Sequence, residues 1–408
     1  MFKVNKDYLE IKSYLFFQRY VENYFDLVSL IIGTFPYQKR NKVKNNVCKL
    51  MFFFGLTSLN LFSQTEDLSP KEKAFRDSIA MVNEASKANA AGKEAYNAGI
   101  NSFSNKDYTK AIKEFEKAIT ADPTFLAAYY NKAVAENEIE KFQDAVATIN
   151  RLVSVDSNYI RAYFQRAKAY QGANDFANAE KDYEKSIKLD ANNVKVHYNY
   201  GVLRFFQKDY KDAIVKFTRC IQLDPTSPYY YNDRGSCYRL LGDFPKALLE
   251  YEEALKKNPN LAFVHNNIGT TKKKMKDIPG ALLAFNKAIS VDAKFYMAYA
   301  NRGATLLAQN KKEDAEKDFN TAIQLNTDYA PALSNLAAIY FQRKDFQKAF
   351  DYADRAIKLD ANYGAAYLNR GIAKEMLRDM QGACEDWSKA KELGVDLGKN
   401  YYSTNCNN

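Results

Sequence analysis

Histidine and tryptophan are almost missing from this chain: two His and one Trp in 408 residues. Serine, cysteine or zinc chemistry built on imidazole therefore has little to draw on, and no Ser-His-Asp or Cys-His set, Gly-rich phosphate loop or zinc spacing occurs. Glycine (16) and proline (9) are scarce, which argues against a loop-rich all-β fold and for long helical runs. Five cysteines are too few for a disulfide scaffold. The most apolar stretch, Leu50–Phe62, is short and broken by Thr57, Ser58 and Asn60, so no segment reads as a membrane span. The formal charge of +10 is not gathered into a basic stripe, so nucleic acid is not expected as a partner. Carboxylates are plentiful but scattered along helical surfaces. No catalytic set, cofactor or metal site is expected, and the chain does not read as an enzyme.

Half of the net charge sits in the first 63 residues, with nine Lys/Arg against four Asp/Glu. There Lys39, Arg40, Lys42, Lys44 and Lys49 precede the apolar run, and Ser63 stands just before Gln64. A basic segment, a short apolar core and a small residue describe a secretory signal peptide over residues 43–63. It resembles the signals of envelope proteins of the Bacteroidetes group. Residues 1–42 do not fit it and form a doubtful extension, with translation expected to start near Val43. Export to the periplasm or cell envelope is the expectation; a cytoplasmic protein is the alternative if the signal is not used. Ser69-Pro70-Lys71-Glu72 is a capping box, which opens a leading helix within residues 64–91.

From residue 92 the chain is periodic. Ala111, Ala145, Ala179, Ala213, Ala247, Ala281, Ala315, Ala349 and Ala383 stand one 34-residue step apart. Gly92 is taken as place 1 of the first repeat and Leu397 as the end of the ninth. Place 8 is then always Gly or Ala, place 20 is the alanine series, and place 24 is usually aromatic (Phe115, Tyr183, Phe217, Tyr251, Phe285, Phe319, Trp387). Apolar residues recur at three- and four-residue steps on both sides of a turn near place 15, which makes each repeat a helix–turn–helix hairpin. Asp122-Pro123, Asp224-Pro225 and Asn258-Pro259 close their repeats.

Small residue, alanine, aromatic and closing proline in this register resemble the tetratricopeptide repeat (TPR) family over residues 92–397. The resemblance implies an all-α, right-handed superhelical α-solenoid of nine hairpins, followed by a tail over 398–408. It also implies a groove lined by the first helix of each hairpin, which in this family holds partner polypeptides. The family's tryptophan at place 4 is here Tyr or His in most repeats (Tyr129, Tyr163, His197), and closing prolines are missing from six repeats.

Place 6 lines the expected groove with amides: Asn97, Asn131, Asn199, Asn267, Asn301, Asn335 and Asn369, with Gln165 and Asp233 in the other two repeats. An amide donates and accepts, so such a ladder suits a peptide backbone. Place 5 gives Tyr96, Tyr130, Phe164 and Tyr198, then Asn232, Asn266, Ala300 and Ser334; Lys93, Arg161, Lys195 and Lys168 stand nearby. The front of the groove is thus expected to be aromatic and basic, and its back small and polar. Rings beside cations suit acidic or aromatic segments. They would also suit sugar rings, so a glycan-binding envelope module is the alternative to a protein-binding scaffold.

Arg166, Arg234, Arg302 and Arg370 at place 7 each have an acid sixteen residues later: Asp182, Glu250, Asp318 and Asp386. That matching assigns them to ion pairs between the two helices of a hairpin. His197 and His265, two repeats apart, read as core. In an exported protein Cys384 and Cys406 could bond and pin a short closing segment; Cys220 and Cys237 are either a second pair or two buried thiols. The chain's partners are expected to be other proteins.

Overall fold

The structure, a computed structural model, describes residues 89–406. The extension, the signal peptide and all but the end of the leading helix lie outside these residues. Among the described residues there are nineteen helices and no strand. Residues 89–226 form one compact body and residues 227–406 another.

The first body stacks four hairpins: α1 (Ala90–Ser104) with α2 (Tyr108–Ala121), α3 (Leu126–Glu138) with α4 (Phe142–Val155), α5 (Ile160–Gly172) with α6 (Phe176–Leu189), and α7 (Val194–Phe206) with α8 (Tyr210–Leu223). The second body stacks five: α9 (Pro228–Leu240) with α10 (Phe244–Lys257), α11 (Ala262–Lys274) with α12 (Ile278–Val291), α13 (Tyr296–Ala308) with α14 (Lys312–Leu325), α15 (Ala330–Gln342) with α16 (Phe346–Leu359), and α17 (Gly364–Met376) with α18 (Met380–Glu392). The residues set apart as a tail instead continue a final helix, α19 (Asp396–Asn405).

Local chemistry fixes each hairpin. The turn residue at place 15 has φ between 60° and 67° in eight repeats, and it is Gly242 (φ 84°) in the fifth. In seven repeats the next residue is an aspartate whose carboxylate accepts from the backbone N–H three residues on, capping the second helix, as Asp107 does from Lys110 and Asp345 from Lys348. Between repeats, the Asp or Asn at place 31 accepts from the N–H two residues on, from Asp122 with Thr124 through Asp360 with Asn362. This Asx turn supplies the bend that a closing proline would otherwise supply.

All nine place-20 alanines are fully buried. Beside them, place 8 meets place 24: a Cβ added to Gly269 would lie 2.5 Å from the Phe285 ring, and one on Gly99 2.6 Å from Phe115. Two of the three repeats with Ala at place 8 carry a smaller partner at place 24, Ile149 opposite Ala133 and Ala353 opposite Ala337. Volume is conserved across the contact.

Three of the arginines at place 7, Arg166, Arg302 and Arg370, tie three helices. Arg166 binds Asp182 through Nε and a terminal nitrogen (2.6 and 2.7 Å) and reaches back to Asn150 Oδ1 in the preceding repeat (2.7 Å). Arg302 does the same with Asp318 (2.8 and 2.6 Å) and Asn286 (2.7 Å), and Arg370 with Asp386 (2.9 and 2.7 Å) and Asp354 (2.6 Å). Arg234 meets Glu250 through one nitrogen (2.7 and 2.9 Å); burial outweighs that pairing and pushes the Glu250 carboxyl up.

Place 4 explains its own composition. Tyr129 and Tyr163 donate their hydroxyls to the carbonyls of Pro123 and Ser157, six residues back, and Nε2 of His197 and His265 makes the same contact with Ala191 and Pro259. A tyrosine or histidine tip reaches a turn carbonyl here. Cys384 and Cys406 are bonded, with Cα atoms 5.7 Å apart, and Tyr401 of α19 lies 5.1 Å from the Trp387 ring. Cys220 and Cys237 are separate buried thiols, so the second bond does not form. Burial pushes the Cys237 thiol up, which keeps it protonated and inert.

Candidate functional site

Place 6 and place 5 turn out to be one network. The Asn131 amide donates to Tyr96 Oη in the preceding repeat (2.7 Å). Asn267 donates to Asn232 Oδ1 (2.9 Å), Asn301 to Asn266 Oδ1 (2.9 Å), and Asn369 to the Ser334 carbonyl and hydroxyl (2.8 and 3.0 Å). Where the preceding place 5 offers no acceptor, the amide folds back onto its own helix. Asn199, after Phe164, donates to Lys195 O (2.8 Å), and Asn335, after Ala300, to Pro331 O (2.9 Å). Asn97 is exposed.

Six of the amides thus give an N–H to the protein itself, which fixes their orientation. In the second body Oδ1 of Asn267, Asn301, Asn335 and Asn369 takes no hydrogen bond among the described residues, and none of the four is sealed from solvent. Gln165 and Asn199 differ from these: both are buried.

Of the rings at place 5, Tyr96 is buried while Tyr130, Phe164 and Tyr198 are half-buried. Tyr96 is only 7% exposed, with its ring 5.7 Å from Phe115 and 4.7 Å from Phe125. Phe164 packs on Tyr183 (6.3 Å) and Tyr198 on Phe217 (5.9 Å), each the place-24 aromatic of its own hairpin. Tyr130, half-buried, stands 6.2 Å from Tyr159. Tyr96 therefore belongs to the core, and the other three rings each turn one side toward a neighbouring ring and keep part of their surface exposed. Lys168, at place 9, is half-buried.

The back of the face is not merely small and polar either. Place 2 there carries Tyr229, Phe263 and Met297, all half-buried, and the Tyr229 and Phe263 rings stack across adjacent repeats at 6.0 Å and 9°. Burial raises the Tyr229 phenol pKa, and the charge of Asp233 adds to that. Places 2, 6, 9 and 13 lie at spacings of four, three and four residues, hence on one helical face. That arithmetic could have found this column from the sequence.

Among the described residues, no cluster of three or more His, Cys, Asp and Glu is placed to hold a metal, and no helix is long and apolar enough to cross a membrane.

Models described as tetratricopeptide repeat match residues 102–169, 160–193, 194–227, 228–261, 298–329 and 330–363, together more than half of the chain. Among solved structures, a tetratricopeptide repeat protein from Parabacteroides merdae ATCC 43184 is similar at 18% identity and a TM-score of 0.51, over 61% of this chain and 99% of that one. PilF of Pseudomonas aeruginosa is similar at 18% identity and a TM-score of 0.45, over 52% of this chain and 96% of that one. No curated protein matches the chain.

Proposed function

Because the chain belongs to the tetratricopeptide repeat family, whose repeats build protein–protein interaction scaffolds, we propose that it holds an extended segment of a partner polypeptide on the face made by its first helices. One observation carries the reading: the row of outward amide oxygens from Asn267 to Asn369. Each can accept a backbone N–H, a group that every non-proline residue of a partner supplies. Inter-repeat bonds from Asn267, Asn301 and Asn369, and the intrahelical bond of Asn335, hold the row in place before any partner arrives, which lowers the ordering cost of binding.

We also propose that the protein is exported. The Cys384–Cys406 bond supports this, since such bonds persist in oxidising compartments and are rare in the cytosol. N-terminal sequencing of the mature protein is expected to begin near Gln64; a chain that begins upstream of Ser63 overturns export.

The scaffold reading is tested by capture from an envelope extract. One bait is the mature protein, a second carries Asn267→Leu, Asn301→Leu and Asn335→Leu, and a third carries Leu249→Ser and Leu283→Ser, which lie exposed on second helices. All three are checked for unchanged helical circular dichroism. A partner held by the first and third baits and lost by the second is the expected result. Retention by the asparagine variant overturns it.

A further inference from the structure

The five hairpins of the second body stack one on the next, so their turns share one edge. Places 11 to 19, which hold these turns, carry thirteen Lys/Arg and seven Asp/Glu over repeats five to nine. The four connections between those repeats, at the opposite edge (256–263, 290–297, 324–331 and 358–365), carry four and three. On the turn edge Lys274, Lys276, Lys311, Lys344 and Arg378 are exposed and make no ion pair among the described residues. Repeats five and six add a run of exposed apolar residues there: places 14, 18 and 22 are Leu241, Pro245 and Leu249, then Met275, Pro279 and Leu283. No other repeat is apolar at all three places; the first has Asn105, Thr109 and Lys113, and the ninth Leu377, Gln381 and Glu385. Places 18 and 22 lie one turn apart on the same side of the second helix, and place 14 stands in the turn before it. Proline in the first turn of a helix has a local reason. Leu241 (44% exposed), Met275 (43%), Leu249 (62%) and Leu283 (70%) have none.

We infer that this turn edge docks on an anionic lipid surface. The inference goes beyond the scaffold reading and uses none of its residues. Apolar side chains entering the boundary between headgroups and acyl chains, with cations beside them on lipid phosphates, are how a protein lies on a membrane without spanning it. Leu241 and Met275 at the turns and Leu249 and Leu283 behind them supply the apolar part. Lys274 and Lys276 flank Met275 in the same turn, and Lys311, Lys344 and Arg378 continue the charge along the edge. Each lysine can also lay its methylene stem against the acyl boundary while its ammonium stays among the headgroups. Two observations favour lipid over a protein occupant. A second copy docked about a two-fold axis would press this positive edge against itself. A folded partner must present a hollow for each projecting leucine, whereas a fluid bilayer closes around it.

The test is co-sedimentation of the mature protein of the capture experiment with two kinds of vesicle. One is phosphatidylcholine alone; the other is phosphatidylcholine and phosphatidylglycerol in equal parts. Three variants accompany it, all checked for unchanged helical circular dichroism. Leu249→Ser with Leu283→Ser removes the most exposed apolar side chains. Lys274→Glu with Lys276→Glu reverses charge at the turn. Lys287→Glu with Lys294→Glu makes the same change of charge at exposed positions away from the turn edge.

The protein is expected to bind the anionic vesicles at least about tenfold more tightly than the neutral ones, and added salt should narrow the gap. The leucine variant and the Lys274 and Lys276 variant should each weaken that binding at least about tenfold, while the Lys287 and Lys294 variant keeps most of it. Equal binding to both vesicles, or binding to neither, overturns the inference. So does retention by the leucine variant, or an equal loss from the two charge reversals. Loss of a protein partner by the leucine bait in the capture experiment, without vesicle binding, would give the edge to a protein instead. The scaffold reading is decided separately: Asn267→Leu, Asn301→Leu and Asn335→Leu together should abolish capture and leave vesicle binding unchanged.

Discussion

His197 does the work of a tyrosine over a narrower range of pH. Its Nε2 meets the Ala191 carbonyl, which can only accept, so the ring proton sits there and Nδ1 is buried without a partner. Burial is the main cause of its lowered pKa, helped by the charges of Arg219 and Lys216. Below about pH 6.5 an unfolded histidine takes up a proton that the folded one refuses, so stability falls as pH drops from there toward the folded pKa. His265 shifts the same way, also mainly by burial. His197→Tyr should keep the carbonyl bond, as Tyr129 and Tyr163 do, and reduce the loss of stability between about pH 7.5 and pH 5.5. Urea unfolding at the two pH values measures this; an unchanged difference would show that His197 does not drive it. At place 7, Arg302→Leu leaves Asp318 buried without its partner and should cost about 3 kcal/mol by chemical denaturation. The double change Arg302→Leu with Asp318→Leu should cost less than the single one, since the charge and its partner leave together.

At the scale of the helical hairpin, the alanine register was enough to fix hairpins, turns and core, because each place-20 alanine marks a helix contact too close for anything larger. What the register could not show was direction. Places 5 and 6 are neighbours in sequence, yet a helix turns about 100° between them, so Tyr96 enters the core while the Asn97 side chain meets solvent. Place 2 was legible in principle, since Tyr229, Phe263 and Met297 share the register. Nor does residue type alone tell which asparagine atoms are spent within the protein, since that depends on what the preceding repeat offers at place 5. Two predictions belong here. Lys208 holds φ 63° at a turn that the fifth repeat fills with glycine, so Lys208→Gly should stabilise the protein by up to about 1 kcal/mol. Gly269→Ala drives a methyl into the Phe285 ring and should cost about 2 kcal/mol. Thermal melts of the two variants should move in opposite directions; a shift of the same sign in both would contradict the hairpin geometry.

At the scale of the molecule, a stack of repeats holds together through neighbours, so local loosening need not spread. The ninth hairpin differs from the others because α19 covers it. Gly398 comes so close to Ala390 that an added Cβ would lie 2.7 Å from the Ala390 Cβ, Tyr401 rests on Trp387, and the Cys384–Cys406 bond ties the end of α19 to α18 across 22 residues of chain. A ten-residue helix is too short to persist on its own in water, so its order depends on this contact and this bond. Reduction restores the freedom of the closed loop, worth about 3 kcal/mol in the chain-entropy account. That exceeds what one half-exposed ring contact supplies. Reduced protein should therefore exchange its amide hydrogens faster across Asp396–Asn405, while the helices of repeats five to eight keep their protection. Hydrogen exchange followed by mass spectrometry, with and without reductant, reads both regions at once. Loss of protection through the whole second body would mean that the bond supports the stack itself, and unchanged protection in α19 would mean that packing alone holds the cap.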